Sequence, residues 1–254
     1  MKKKVFINPK YEYLRNYILQ IPAIMEQEGT YIYGGRRNLI KLFEAEDGTQ
    51  LNVKRFQKPR LLNNLIYSSG IRKPKGVRAF TYPAILLTKG IETPEAVAYI
   101  EYRNAAGLLQ HSYFISRQCP YRHLLYELGD ATPDVYEPLA KALARYTAYM
   151  HDHEVLHLDY SPGNILWDID ANGTYHFSSV DINRMRFGAV NMQEGCKSFC
   201  RLWGPKAFIQ LLVEEYARAR HFAPAACTAI TMKARAEFWQ RYQKKREIEF
   251  KLEL

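Results

Sequence analysis

The sequence predicts an α+β fold in two lobes, a small antiparallel β lobe over residues 1–118 and a mainly helical lobe over residues 119–254. Three observations carry that prediction. Short runs of β-formers separated by turn signals fill the first part. An apolar period of three to four residues opens at Thr132. The chain, at 254 residues with 47% apolar and 24% charged side chains, has globular composition and enough material for one large or two small domains.

In the first lobe, Gly29–Tyr33 is rich in β-branched and aromatic residues, Gly34-Gly35 supplies a turn, and Asn38–Ala45 follows as a second strand. Asp47-Gly48 is a hairpin signal, and Gln50–Phe56 completes a three-strand meander. Ala79–Leu87 reads as a helix that Pro83 kinks or shortens. Ala96–Arg103 and Leu108–Arg117 are two more strands around Asn104–Gly107, so the lobe is expected to hold about five strands and one helix. The basic runs Met1–Lys4 and Gln243–Arg246 read as solvated tails.

In the second lobe, Thr132-Pro133 sets an N-cap and a proline at the first helical position. Val135, Leu139, Leu143, Tyr146 and Met150 then fall on one helix face. Ile165–Ile169 and Thr174–Val180 flank Asp170–Gly173 as a hairpin. Phe199–Arg220 is helical around Gly204-Pro205, and Glu237–Phe250 is a charged, peripheral helix. His151 and His153 end the Thr132 helix, where imidazolium suits the helix dipole.

The net charge of +10 favours anionic partners without choosing among them. No basic, aromatic-bearing motif points to nucleic acid. Four cysteines, Cys119, Cys196, Cys200 and Cys227, do not make a disulfide scaffold and read as reduced, buried thiols. Asn8, Pro9 and Lys10 interrupt any apolar run after Lys2–Lys4, and no stretch approaches the ~20 apolar residues of a membrane helix, so the chain is expected in the cytoplasm.

The chemistry is concentrated in His157-Leu-Asp159-Tyr-Ser-Pro-Gly-Asn164, followed by Val180-Asp181-Ile-Asn183. If Asn172-Gly173 forms a two-residue type I′ turn, Ile165 lies opposite Val180 and Asn164 opposite Asp181. An amide oxygen and a carboxylate so opposed share one hard cation, which suits Mg²⁺ with its remaining positions on water and phosphate. Asp159, on a loop five residues before Asn164, is then a candidate base for a hydroxyl nucleophile. The local pattern points to phosphoryl transfer.

His157-x-Asp159-x4-Asn164, then a hairpin and Asp181, resembles the catalytic loop and metal-binding aspartate of protein kinases, with Ile182-Asn183 where those enzymes have Phe-Gly. The run Val180–Phe187, with Lys89-Gly-Ile-Glu-Thr-Pro-Glu95 upstream, resembles more closely the lipopolysaccharide kinase (Kdo/WaaP) family, over roughly Gly29 to Arg220. The resemblance implies a bilobal protein-kinase-like fold, ATP and Mg²⁺ as cofactors, and a sugar hydroxyl (Kdo or heptose) of an anionic lipopolysaccharide inner-core precursor as acceptor, with peripheral contact to the inner membrane. It implies Asp159 as catalytic base, Asn164 and Asp181 as metal ligands, His157 as a brace, and Lys54 on the third strand as the lysine that grips the nucleotide phosphates. Gly34 and Gly35 fall where the glycine-rich phosphate loop belongs, beside Arg36-Arg37. ATP is expected near Gln118.

One departure stands out. Such kinases pair the strand lysine with a helix glutamate, expected near Phe80-Thr81-Tyr82, where this chain has no carboxylate. That motivates a competing reading, a pseudokinase that binds nucleotide or a partner; a second, a kinase acting on protein or a small metabolite, follows from the catalytic-loop motif being shared across those substrates.

Overall fold

The computed structural model describes residues 1–34, 38–59, 64, 67 and 73–254. Gly35, Arg36 and Arg37 lie outside the described residues. The chain divides into two compact units, Met1–Pro120 and Tyr121–Leu254.

The first unit is built on a sheet that has six strands among the described residues: β1 (Lys2–Ile7), β2 (Thr30–Gly34), β3 (Asn38–Glu44), β4 (Gln50–Phe56), β5 (Ala96–Arg103) and β6 (Leu109–Arg117), in the order β1-β5-β6-β4-β3-β2. All neighbours are antiparallel. The meander β2-β3-β4 forms as the turn signals require, with Gly48 at φ +77° closing the β3–β4 turn. The basic N-terminus departs from its reading as a tail: Lys2, Lys3 and Lys4 begin an edge strand that pairs with β5. Exposed lysines on an edge strand keep it from pairing with another chain, so a run that looks merely soluble has a structural use.

Two of the helices among the described residues of this unit pack on the sheet. The first, α1 (Arg15–Ile24), was not expected; it buries Ile18 and Ile21 against Leu51, Val53, Val97, Ile100 and Ile115 of the sheet. The second, α2 (Lys75–Thr88), is longer than the sequence implies. Pro83 lies inside it and is buried, so packing on β5 and β6 offsets the hydrogen bond that proline removes. Gly76 lets the helix approach, because a Cβ there would sit 2.1 Å from the buried ring of Tyr99.

The second unit contains α3 (Pro133–Asp152), α4 (Met192–Ser198), α5 (Lys206–Ala219) and α6 (Pro224–Gln243). Thr132 is the N-cap of α3 and Pro133 its first residue. Leu139, Leu143 and Met150 are fully buried; Val135, grouped with them by period, is exposed, and Tyr136 takes the buried place. The last helix begins and ends earlier than expected and is not peripheral: Arg235 and Trp239 of α6 are buried, and Phe250 of the tail stacks on Trp203 and meets Trp239 edge-on. His151 also differs from expectation. It is 2% exposed, its Nδ1 shares a 2.8 Å hydrogen bond with the Tyr216 hydroxyl, and burial lowers its pKa to about 3. It is therefore a neutral core histidine, not an imidazolium at a helix end. The four cysteines are free thiols; Cys119, Cys196 and Cys227 are buried and Cys200 is half-buried.

Short strands complete the unit: β7 (His123–Leu124), β8 (Val155–His157), β9 (Ile165–Ile169), β10 (Tyr175–Ser179) and β11 (Met185–Phe187). They form two small sheets, β10-β9-β7 and β11-β8. No helix among the described residues is long and apolar enough to cross a membrane.

Candidate active site

The β9–β10 hairpin sets the first part of the geometry, in a register one residue from the expected one. Ile165 pairs with Ser179, not with Val180. The cause is Asp170. Its backbone N–H bonds to Thr174 O, its carbonyl accepts from Gly173, and its side chain accepts from the N–H groups of Asn172 and Thr174. The turn is therefore a three-residue loop with Gly173 alone in the left-handed region, whereas a type I′ turn requires Asn172 there too. Asn164 then faces Val180, whose N–H donates to the Asn164 carbonyl at 3.0 Å, and Asp181 lies one position beyond the direct partner. Asp181 adopts φ 51°, ψ 39°, a left-handed conformation rare outside glycine but tolerated by Asp. This turns the chain out of the strand and into the short 3-10 turn Ile182–Arg184. Asn183 Nδ2 donates to Asp181 Oδ1 and restrains the carboxylate.

The loop carrying Asp159 leaves β8, which is strapped to β11: Met185 pairs with His157, and Leu158 N–H donates to Arg184 O. His157 is the hub. Its Nδ1 accepts from the Asp159 N–H at 3.1 Å, and its Nε2 lies 3.1 Å from Val180 O. Those partners fix the tautomer: the proton is on Nε2 and the ring is neutral. Burial pushes its pKa down, which agrees with that state. One imidazole thus ties the residue that carries one candidate acid to the residue preceding the other. Asn164 Nδ2 donates to Asp159 O at 2.8 Å, folding the loop on itself and directing the amide oxygen away from that bond. Tyr160 is buried and donates to Thr147 Oγ1 on α3 at 2.7 Å, since that hydroxyl spends its own proton on Leu143 O. Gly163 lies under the ring of Tyr126, where a Cβ would come within 2.9 Å.

The Asp159 carboxylate is held by two arginines that the sequence reading did not single out. Arg184 Nη1 donates to Oδ2 at 3.1 Å, and Arg201 Nη1 donates to Oδ1. Arg184 stands inside the run Val180–Phe187, but nothing in its spacing marks it. Arg201 is 42 residues from Asp159 in the chain, and only the tertiary fold brings it in.

The second unit thus brings together Asp159, Asn164, Asp181 and His157. Lys54 and Gly34 belong to the first unit. Lys54 lies mid-strand on β4 between Ile40 and Phe114, with its ammonium 5.5 Å from the centre of the Phe56 ring. Gly34 ends β2; the Tyr31 hydroxyl donates to its carbonyl, and a Cβ there would meet the Tyr31 ring at 2.8 Å. Helix α2 contains no Asp or Glu, so no carboxylate from that helix pairs with Lys54. Gln118 accepts from Asn52 Nδ2 at 2.8 Å.

For a metal, Asn164 and Asp181 offer one amide oxygen and a carboxylate, a hard donor set. Among the described residues no group of three His, Cys, Asp or Glu side chains is gathered for an ion. A small oxygen set fits Mg²⁺, which takes one or two protein ligands and completes its shell with water and phosphate.

No protein-family model matches the chain, and no curated protein matches it in sequence. Solved structures do match. A structure of WaaP in complex with acyl carrier protein aligns with a TM-score of 0.61 and 18% identity, over 96% of this chain and 100% of that one. A Rio2 kinase complex with ADP, Mg²⁺ and phosphoaspartate, from Chaetomium thermophilum, aligns with a TM-score of 0.50 and 14% identity, over 95% of this chain and 78% of that one. The fold is that of the protein-kinase-like proteins.

Proposed function

We propose that this chain is an ATP- and Mg²⁺-dependent kinase whose acceptor is a sugar hydroxyl, of Kdo or heptose, on a lipopolysaccharide inner-core precursor. The observation that carries the reading is the single neutral His157, hydrogen-bonded to both Asp159 N–H and Val180 O. It holds in register two loops which, in a kinase fold, carry the base and the metal. In this reading Asp159 accepts a hydrogen bond from the acceptor hydroxyl, orients it, and takes its proton as the new P–O bond forms. Asn164 and Asp181 hold Mg²⁺, which when bound neutralises charge on the nucleotide phosphates. Lys54 is assigned a point charge on those phosphates, and Gly34 and Gly35 the part of the phosphate-binding glycines. Catalysis of this kind is positioning and charge stabilisation. The surplus of ten positive charges suits an anionic glycolipid at the cytoplasmic face of the inner membrane.

Asp159→Asn tests the assignment, because it keeps the shape and removes the base. With radiolabelled ATP and purified glycolipid acceptor, transfer is expected to fall by roughly 10²–10⁴-fold while ATP binding persists. Undiminished transfer overturns the role of Asp159. The absence of carboxylates on α2 favours one second reading, a nucleotide-binding pseudokinase. Folded wild-type protein that binds ATP but labels neither glycolipid, protein nor metabolite supports it; label in protein or a small metabolite replaces the acceptor assignment.

A further inference from the structure

Arg184 and Arg201 have donors to spare, and both are firmly mounted. Each gives one N–H to Asp159, and a guanidinium has five. Two cations facing one carboxylate leave the group one positive charge in excess. The backbone of Arg184 is pinned by the Leu158 N–H on its carbonyl. Arg201 ends a 3-10 turn whose next residue, Leu202, presents its carbonyl to Arg235, which is fully buried and also donates to Gly204 O at 3.2 Å. The Arg201 guanidinium lies 5.3 Å from the centre of the Phe238 ring on α6. The two arginine side chains are nevertheless 48% and 35% exposed, against 21% for that of Asp159, so an incoming anion reaches them first. Ion pairs at that exposure are weak, and a ligand displaces them at little cost.

We infer that Arg184 and Arg201 form an anion subsite for the acceptor, which binds a phosphate or carboxylate on the sugar beside the hydroxyl that Asp159 receives. The inference deepens the kinase reading and rests on it: the pair selects acceptors that carry an anionic group. When that group binds, the guanidiniums turn their N–H groups to it and release the Asp159 oxygens to accept the hydroxyl. A bidentate fork is the geometry that suits either anion, and it is one that lysine lacks.

The test is direct binding of soluble probes to the full chain by calorimetry, which requires no turnover. The probes are a hexose 6-phosphate, free Kdo as a sugar acid, and the neutral hexose. Wild-type protein is expected to bind at least one anionic probe about tenfold or more tightly than the neutral one. Arg184→Ala and Arg201→Ala each lose roughly tenfold of that affinity, the scale of one hydrogen bond to a charged group. Arg201→Lys, which keeps the charge, recovers only part. Asp159→Asn removes the competing carboxylate and binds the anion more tightly, a gain that a merely structural role for the arginines does not produce. Whichever anionic probe keeps the preference identifies phosphate or carboxylate as the group recognised. Equal binding of neutral and anionic probes overturns the inference. So does a variant, folded by thermal melt, that loses ATP affinity but not probe affinity, because the pair then serves the nucleotide. Failure of the chain to bind Mg·ATP at all overturns the kinase reading instead and leaves the probe result standing.

Discussion

His157→Phe removes the hub of the candidate site and keeps a flat aromatic ring, somewhat larger than imidazole. The imidazole is 1% exposed and makes two hydrogen bonds of 3.1 Å, accepting from Asp159 N–H and donating to Val180 O. Phenylalanine replaces neither. A net loss of about 1 kcal/mol per bond is the floor, and stranding either backbone group away from water costs ~1–3 kcal/mol, so a total of about 2–5 kcal/mol is expected. That is a large share of the ~5–15 kcal/mol by which domains are stable. Urea unfolding is the assay, with the slope checked so that a shifted midpoint reports stability alone. If the chain is the proposed kinase, phosphotransfer should fall further than stability explains, because Asp159 and Asp181 lose their common anchor, and it should remain low at temperatures where the variant is fully folded. A midpoint shift equivalent to less than about 0.5 kcal/mol, the scale of an indifferent surface change, refutes the bracing argument.

Two further outcomes follow from the packing. His151 has a folded pKa of about 3, well below the ~6.5 of the unfolded chain, so the unfolded state takes up a proton first as pH falls. Its contribution is complete above that unfolded value and is lost on acidification, by roughly 2 kcal/mol at pH 5; urea midpoints at pH 7.5 and 5 measure it, and a His151→Gln variant that keeps the whole slope rules His151 out as its source. Gly76→Ala drives a Cβ to 2.1 Å from the Tyr99 ring, whose hydroxyl is itself bonded to Glu101 at 2.8 Å. Overpacking there should cost ~1–3 kcal/mol despite alanine's better helix propensity, and a higher melting temperature for the variant would contradict the close α2–β5 approach.

What the sequence determined by itself is the local part. Alternating β-formers and glycine turns settle the meander, because side-chain period and backbone freedom are properties of adjacent residues. The spacing of His157, Asp159, Asn164 and Asp181 is likewise legible, since a loop and one hairpin connect them. The exact register was not: a side-chain acceptor on Asp170 holds a three-residue loop in place of the two-residue Asn172-Gly173 turn and moves Asp181 by one position. Long-range neighbours were out of reach. Whether three lysines fray or edge a sheet, whether His151 carries charge, and which cations meet Asp159 depend on what the rest of the chain packs against them. Burial sets the protonation of His151, and Arg201 reaches Asp159 from a turn whose next residue, Leu202, is held by Arg235, fully enclosed on α6.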